Sequence, residues 1–254
     1  MKSMLKAAVA AAALLAAAPA MAQDAGGFVG LAYGQQELET PFGDADGDAW
    51  GAEGSVAFKA SGDLVLQFDV NYTEASDADY EAVNGTAHVF TRNADYAFGG
   101  FVGLSDVESS TSWYAGVEAA NFFDTSTVAV GLGYANLDDL DVDLWGVTGE
   151  YRWFATDNVR VDGRLGWQTG EFEDESTDAW NFGVGAEWKI GDSPVSLYAT
   201  YDSFQFNDFD IDVNTALIGV RFNFGQGSLK DRDRSGPTFR SQGGFDTAAR
   251  ALSF

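Results

Sequence analysis

The chain has 254 residues, no cysteine and a formal net charge of -25, which excludes a disulfide-stapled extracellular scaffold and speaks against nucleic acid as a partner. Its length, 14% aromatics and only 4 prolines fit one large β domain better than two small ones.

At the N-terminus, Lys2 and Lys6 precede the apolar run Ala7 to Ala18, and Ala20-Met21-Ala22 puts small residues where a signal peptidase reads. Residues 1–22 therefore read as a signal peptide cleaved before Gln23. The run is short of the ~20 apolar residues a membrane helix needs, and no later segment reaches that length. An exported chain of this kind that resides in a membrane must do so as a closed barrel, which satisfies every backbone polar group.

From residue 27 onward the side chains alternate. In 64–73, Leu64, Leu66, Phe68, Val70 and Tyr72 share one face while Gln67, Asp69, Asn71 and Thr73 share the other, a period of two that no helix gives. The same pattern predicts strands over 27–36, 49–59, 64–73, 86–92, 96–105, 112–121, 127–136, 144–154, 159–169, 179–190, 195–204 and 213–224. Most are about ten residues, enough for a tilted strand to cross a bilayer. All four prolines fall outside these spans, as strands paired on both sides require. The fold class is all-β: an antiparallel transmembrane β-barrel of about 12 strands over 23–225, followed by a flexible, polar and basic tail, 226–254. Segments 86–92 and 112–121 are weakly patterned, which leaves 10 or 14 strands open as counts.

The connections alternate strictly between two kinds. Short ones, such as 60–63, 93–95, 155–158 and 191–194, carry few acids. The others hold Glu37, Glu39, Asp44, Asp46 and Asp48; Glu74, Asp77, Asp79 and Glu81; Asp106 and Glu108; Asp138, Asp139, Asp141 and Asp143; Glu171, Glu173, Asp174, Glu175 and Asp178; and Asp208, Asp210 and Asp212. In bacterial outer-membrane barrels the short turns face the periplasm, so the acidic loops face outside and both termini lie in the periplasm. Aromatics mark two levels: Trp50, Trp113, Trp145, Trp180 and Tyr201 at loop ends, Tyr96, Trp153 and Trp188 at turn ends, as two interfacial girdles would.

The last strand ends in Gly219-Val220-Arg221-Phe222-Asn223-Phe224, preceded by Leu217. This resembles the terminal-strand signature of bacterial outer-membrane β-barrel proteins, a porin-like class. The resemblance implies that Gly219, Phe222 and Phe224 are read by the barrel-assembly machinery. It also implies a Gram-negative outer membrane, with its lipid as a partner. One departure is that the tail follows the aromatic that usually ends the chain.

Charged residues on the wet face are the candidates for a pore lining: Glu150, Arg152, Arg160, Asp162, Arg164, Glu187, Lys189 and Arg221. A register placing Arg152 opposite Asp162 and Glu150 opposite Arg164 makes two complementary cross-strand pairs, whereas a two-residue slip opposes like charges. Twelve strands are more than side chains alone fill, and inward glycines such as Gly99, Gly103, Gly183 and Gly185 suggest space for a narrow water-filled pore. The expected function is a porin-like channel for passive diffusion of small hydrophilic solutes, cation-preferring because an acidic rim concentrates counter-ions. The alternative is a structural or surface-interaction barrel with a closed lumen.

No cofactor is implied, and no metal site is assigned. Asp44-Ala45-Asp46-Gly47-Asp48 has its glycine at the wrong position for a calcium loop and Ser55 where a bidentate glutamate belongs, although divalent cations could bridge the acidic loops. Outer-membrane phospholipases and proteases resemble the chain in architecture, but the sole histidine, His88, has no second motif to orient it as a base, so no enzymatic activity is expected. The tail, with Lys230-Asp231-Arg232-Asp233-Arg234, has three positions open to it: against the cell wall, inside the barrel from below, or hanging free.

Overall fold

The computed structural model describes residues 25–41, 43–75, 80–107, 110–137, 142–172, 175–206, 211–225 and 227–240. Its strands are β1 (Gly26–Thr40), β2 (Gly43–Ser61), β3 (Leu64–Ala75), β4 (Tyr80–Arg92), β5 (Tyr96–Val107) and β6 (Ser110–Phe122). They continue with β7 (Ser126–Leu137), β8 (Val142–Thr156), β9 (Val159–Phe172), β10 (Glu175–Lys189), β11 (Val195–Phe206) and β12 (Ile211–Phe224). Each pairs antiparallel with its sequence neighbours, and β1 closes the barrel on β12 with Gly27 opposite Phe224.

Every expected strand is present, and the loop-side ends run further than the alternation does. Asp44, Asp46 and Asp48 are not in a loop, as the sequence reading has them. They lie on β2, where Asp48 stands opposite Gln35 and Asp46 opposite Glu37. Beyond the bilayer both faces of a hairpin are in water, so the backbone ladder continues without an apolar face to signal it. Glu175 likewise begins β10 rather than ending a loop. Asp138, Asp139, Asp141, Glu173 and Asp174 lie outside the described residues.

The oily face points outward. Leu31, Phe98, Leu104, Val130, Leu165, Val184 and Ile218 are all exposed, as are Trp50, Trp113, Trp145 and Trp180 on the loop side and Tyr96, Trp153 and Trp188 on the turn side. Exposed apolar surface of this extent has lipid as its natural solvent. The wet face points inward, where Gln67, Asp69, His88, Thr127 and Glu187 are buried.

Near the turn end the inward face changes character. Ala57, Val65, Phe90, Ala97, Ala120, Phe122 and Ala129 form a buried apolar cluster together with Phe239 of the tail. Of the positions open to the tail, residues 227–240 take the lumen. The chain turns back at Gly225, whose φ of +84° suits glycine and where a Cβ would sit 2.2 Å from the Ala25 carbonyl oxygen. A short helix, α1 (Leu229–Ser235), follows, started by a capping box of Ser228 and Asp231. It sits in the turn-side mouth, with the Lys230 N–H donating to the Asp157 carbonyl at 3.1 Å. Residues 236–240 then rise along the barrel interior.

Candidate functional site

The interior is built from strands whose register the sequence anticipates. On β8 and β9, Arg152 stands opposite Asp162 and Glu150 opposite Arg164. The side chains nevertheless choose other partners. Arg152 donates to Glu150 two residues along its own strand and, at 2.6 Å, to Asp233 of α1. Arg164 reaches over β10 to Asp202 on β11 at 2.9 Å. Register fixes which residues are near one another, but in a lumen holding a tail segment the nearest opposite charge belongs to that segment or to the next strand.

All eight sequence-expected lining residues lie on the inward face. Glu187, 2% exposed, is the hub of one group. It receives Arg221 at 2.6 Å, Arg160 at 3.3 Å, Ser196 at 2.6 Å, and the tail's Arg232 at 2.6 and 2.8 Å. Arg221 also holds Glu53 at 2.7 Å and lies 3.9 Å over the Tyr198 ring. That ring packs where a Cβ on Gly219 would be, 2.5 Å away, so Gly219 has a lumen role of its own. Phe222 faces outward and exposed at the end of β12. Phe224 pairs with Gly27 at the closing seam. Arg160 bonds Asp162 at 3.0 Å, and Lys189 is buried at the turn end with its ammonium 3.2 Å from the Gly191 carbonyl.

A second group surrounds His88, whose face the sequence leaves ambiguous and which points inward, fully buried. Nδ1 lies 2.7 Å from Glu118 and Nε2 3.0 Å from Asp69, and Asp69 also accepts from Ser55 and Gln67. A carboxylate stands at each ring nitrogen, so both nitrogens of the imidazole are engaged by the wall.

Residues 227–240 join these groups. Arg92 donates to the Gly236 carbonyl at 2.5 Å, the Ser235 carbonyl at 2.7 Å and Thr238 at 2.8 Å. Gln67 accepts from the N–H groups of Thr238 and Phe239 at 2.9 and 3.2 Å and donates to the Phe239 carbonyl at 2.5 Å. Thr127 donates to Asp233 at 2.6 Å, and Arg240 spans Glu150 at 2.6 Å and Asp162 at 2.9 Å. The Phe239 ring meets Phe90 edge-on at 5.0 Å and stacks on His88 at 6.2 Å.

Above this segment, toward the loop side, a cavity of about 380 Å³ remains, lined among others by Glu53, Asn71, Arg164, Asp202 and Arg240. The inward glycines do not widen it as the sequence suggests. A Cβ on Gly103 would strike the Tyr114 ring at 2.1 Å, one on Gly99 would strike Phe90, and those on Gly183 and Gly185 would meet Arg164 with Asp202 and Asp162. Gly103, Gly183 and Gly185 each seat a neighbour's long side chain against the wall, and Gly99 lets the β4 backbone at Val89 and Phe90 approach closely.

Sequence reasoning missed Glu53, Arg92, Glu118 and Asp202 as lining residues; it placed Asp69 on the wet face and allowed the tail into the lumen, but assigned no partner to Arg232, Asp233, Phe239 or Arg240. The available signal was inward apolar residues on the wet face, Val65 and Phe90 above all.

A closed twelve-stranded antiparallel barrel, apolar outside and charged within, has the fold of porin-like outer-membrane β-barrels. No protein-family model matches the chain, and no curated protein matches it. Among solved structures, the chain is similar to the KdgM porin in complex with disordered oligogalacturonate, at 11% identity and a TM-score of 0.52. The match covers 77% of this chain and 99% of that one. It is also similar to an outer membrane channel from Pseudomonas putida F1, at 14% identity and a TM-score of 0.54, over 78% of this chain and 96% of that one.

Proposed function

We propose that this protein is an outer-membrane channel for passive diffusion of small hydrophilic solutes, exported by its N-terminal signal and assembled by the barrel-assembly machinery that reads Gly219, Phe222 and Phe224. The observation that carries the reading is a charged interior inside an apolar shell. Buried charges line the wall and a cavity of about 380 Å³ persists above the tail segment. A barrel serving only as a lipid anchor has no need of so many charged inward residues. The neighbours' fold, shared with a porin and a channel, agrees with this reading.

Cation preference arises at the rim rather than in the lumen. Inside, Arg152, Arg160, Arg164 and Arg221 each face a carboxylate, so the interior field is largely self-cancelled. Asp44, Asp46 and Asp48 lie on the β1–β2 hairpin opposite Glu39, Glu37 and Gln35, an acid-rich edge for which divalent cations are natural counter-ions.

One observation favours a second reading. Residues 227–240 fill the turn-side lumen, and a barrel filled permanently would act through its outer loops instead. Liposome swelling with sugars of graded size separates the two. Solute entry above that of protein-free liposomes, falling with sugar size, is expected. No entry through either the full chain or a chain ending at Gly225 defeats the channel reading.

A further inference from the structure

We infer that residues 227–240 are a reversible self-inhibitory plug, and that the turn-side lumen is a receptor built to hold and release them. This rests on the channel reading above and concerns its regulation.

The first support is where the wall charges find partners. If the segment were a permanent filler, its ions would be the counter-charges of the wall. Yet most wall charges are already paired with wall residues. Arg152 has Glu150, Arg160 has Asp162 and Glu187, Arg164 has Asp202, Arg221 has Glu53 and Glu187, and His88 has Asp69 and Glu118. Arg232, Asp233 and Arg240 add a second layer on pairs that are complete without them. Arg92 is the exception, since its hydrogen bonds go to the segment and water must replace them on release; the other wall charges keep their wall partners with the segment in or out. That is the condition for two stable arrangements.

The second support is the nature of the contact. The segment is held mainly by ion pairs and by hydrogen bonds from Arg92, Gln67 and Thr127. Desolvation offsets much of the gain from such bonds, so they close a lumen without sealing it irreversibly. Its described apolar anchors are few: Leu229 at the mouth, Pro237, and Phe239 in the cluster with Phe90 and Val65. The third support is the hinge. The link between β12 and the segment begins at Gly225, in a backbone conformation only glycine adopts freely, and contains Gly227, so the segment swings from a fixed point at the mouth.

The test uses the full chain in planar bilayers. The native chain has no cysteine, so Thr127→Cys with Asp233→Cys, whose native side chains touch at 2.6 Å, introduces one lock between wall and segment, closed by oxidation or by a short thiol crosslinker. Wild type is expected to switch between a closed and a conducting level. The oxidised pair is expected to lose at least about tenfold in the conducting fraction and to regain it with reductant. A chain ending at Gly225, with folding checked by heat-modifiable gel migration, should conduct steadily, and a synthetic peptide of residues 227–240 added on the turn side should block it reversibly. Equal conduction by the oxidised and reduced pair overturns the plug while leaving the channel standing. A truncated chain that conducts beside a full chain that never opens overturns reversibility. Silence of both chains removes the channel and the plug together.

Discussion

Phe239 is the place where the closed state is most sensitive to a single side chain. Its backbone is fixed by Gln67 whatever the side chain, through the 2.5 Å and 3.2 Å hydrogen bonds, so Phe239→Ala leaves the polar seat in place and removes only the ring. The ring is 5% exposed, edge-on to Phe90 and stacked on His88. Burying a phenylalanine is worth about 1.5–3 kcal/mol, and an aromatic pair adds about 0.5–1.5 kcal/mol. Only the docked state loses these terms, since in the released state the ring is in water. Taking about 2 kcal/mol, and tenfold per 1.4 kcal/mol, the ratio of conducting to closed time rises about thirtyfold. Single-channel recording of the full chain at fixed voltage measures that ratio directly, with Arg234→Ala, which removes a contact to the Phe123 carbonyl and a guanidinium 6.0 Å over the Phe122 ring, as a control expected to change it by no more than about fivefold. A Phe239→Ala channel whose ratio stays within twofold of wild type refutes the reasoning, because the apolar cluster would then contribute nothing to closure.

Three further outcomes follow from the same interior. Glu187→Gln leaves Arg160, Arg221 and Arg232 around a neutral amide, and breaking a buried ionic hub of this kind costs about 3–5 kcal/mol, so the urea midpoint of the reconstituted barrel should fall clearly; an unchanged midpoint contradicts the hub. His88→Ala strips Asp69 and Glu118 of the imidazole that bridges them and should lower the thermal unfolding temperature, while phospholipid hydrolysis stays at background in both proteins; hydrolysis lost on substitution would restore a catalytic role. Replacing Asp44, Asp46 and Asp48 together by Asn should move the reversal potential in a salt gradient toward zero. The effect should vanish near 1 M salt, where the Debye length is about 3 Å; a shift that persists there places selectivity in the lumen instead.

The barrel itself is legible in the sequence for a physical reason. A wall with lipid on one side and polar interior on the other forces alternation at every strand, and Leu64 through Thr73 carries that constraint residue by residue. The β8–β9 register is legible too, since opposing Arg152 to Asp162 and Glu150 to Arg164 is the arrangement that avoids like charges. Where the constraint lapses, so does the signal. The loop-side extension of β2 stands in water on both faces, and only its pairing reveals it. Side-chain partners are less legible still: Arg164 chooses Asp202, 38 positions on, because Gly183 lets its side chain lie flat across β10.

The weak pattern of 86–92 was itself information. Outward Val89 and inward Phe90 are both apolar, so the strand reads as poorly alternating. The reading assumes an inward face that meets water, and at Phe90 it meets Phe239 instead. An apolar residue on the wet face of a barrel too wide for its own side chains to fill calls for an apolar guest. The guest must come from a segment with no place in the wall, and the chain after Phe224 is such a segment. Its charges follow the same logic. Arg232 and Arg240 reach carboxylates on β8, β9 and β10, while Asp233 reaches Arg152, so the tail's alternating signs answer the alternating signs of the wall. Read as composition, Lys230-Asp231-Arg232-Asp233-Arg234 is a solvated run. Set against the inward residues of β8 to β10, the same charges are the complement of a binding surface.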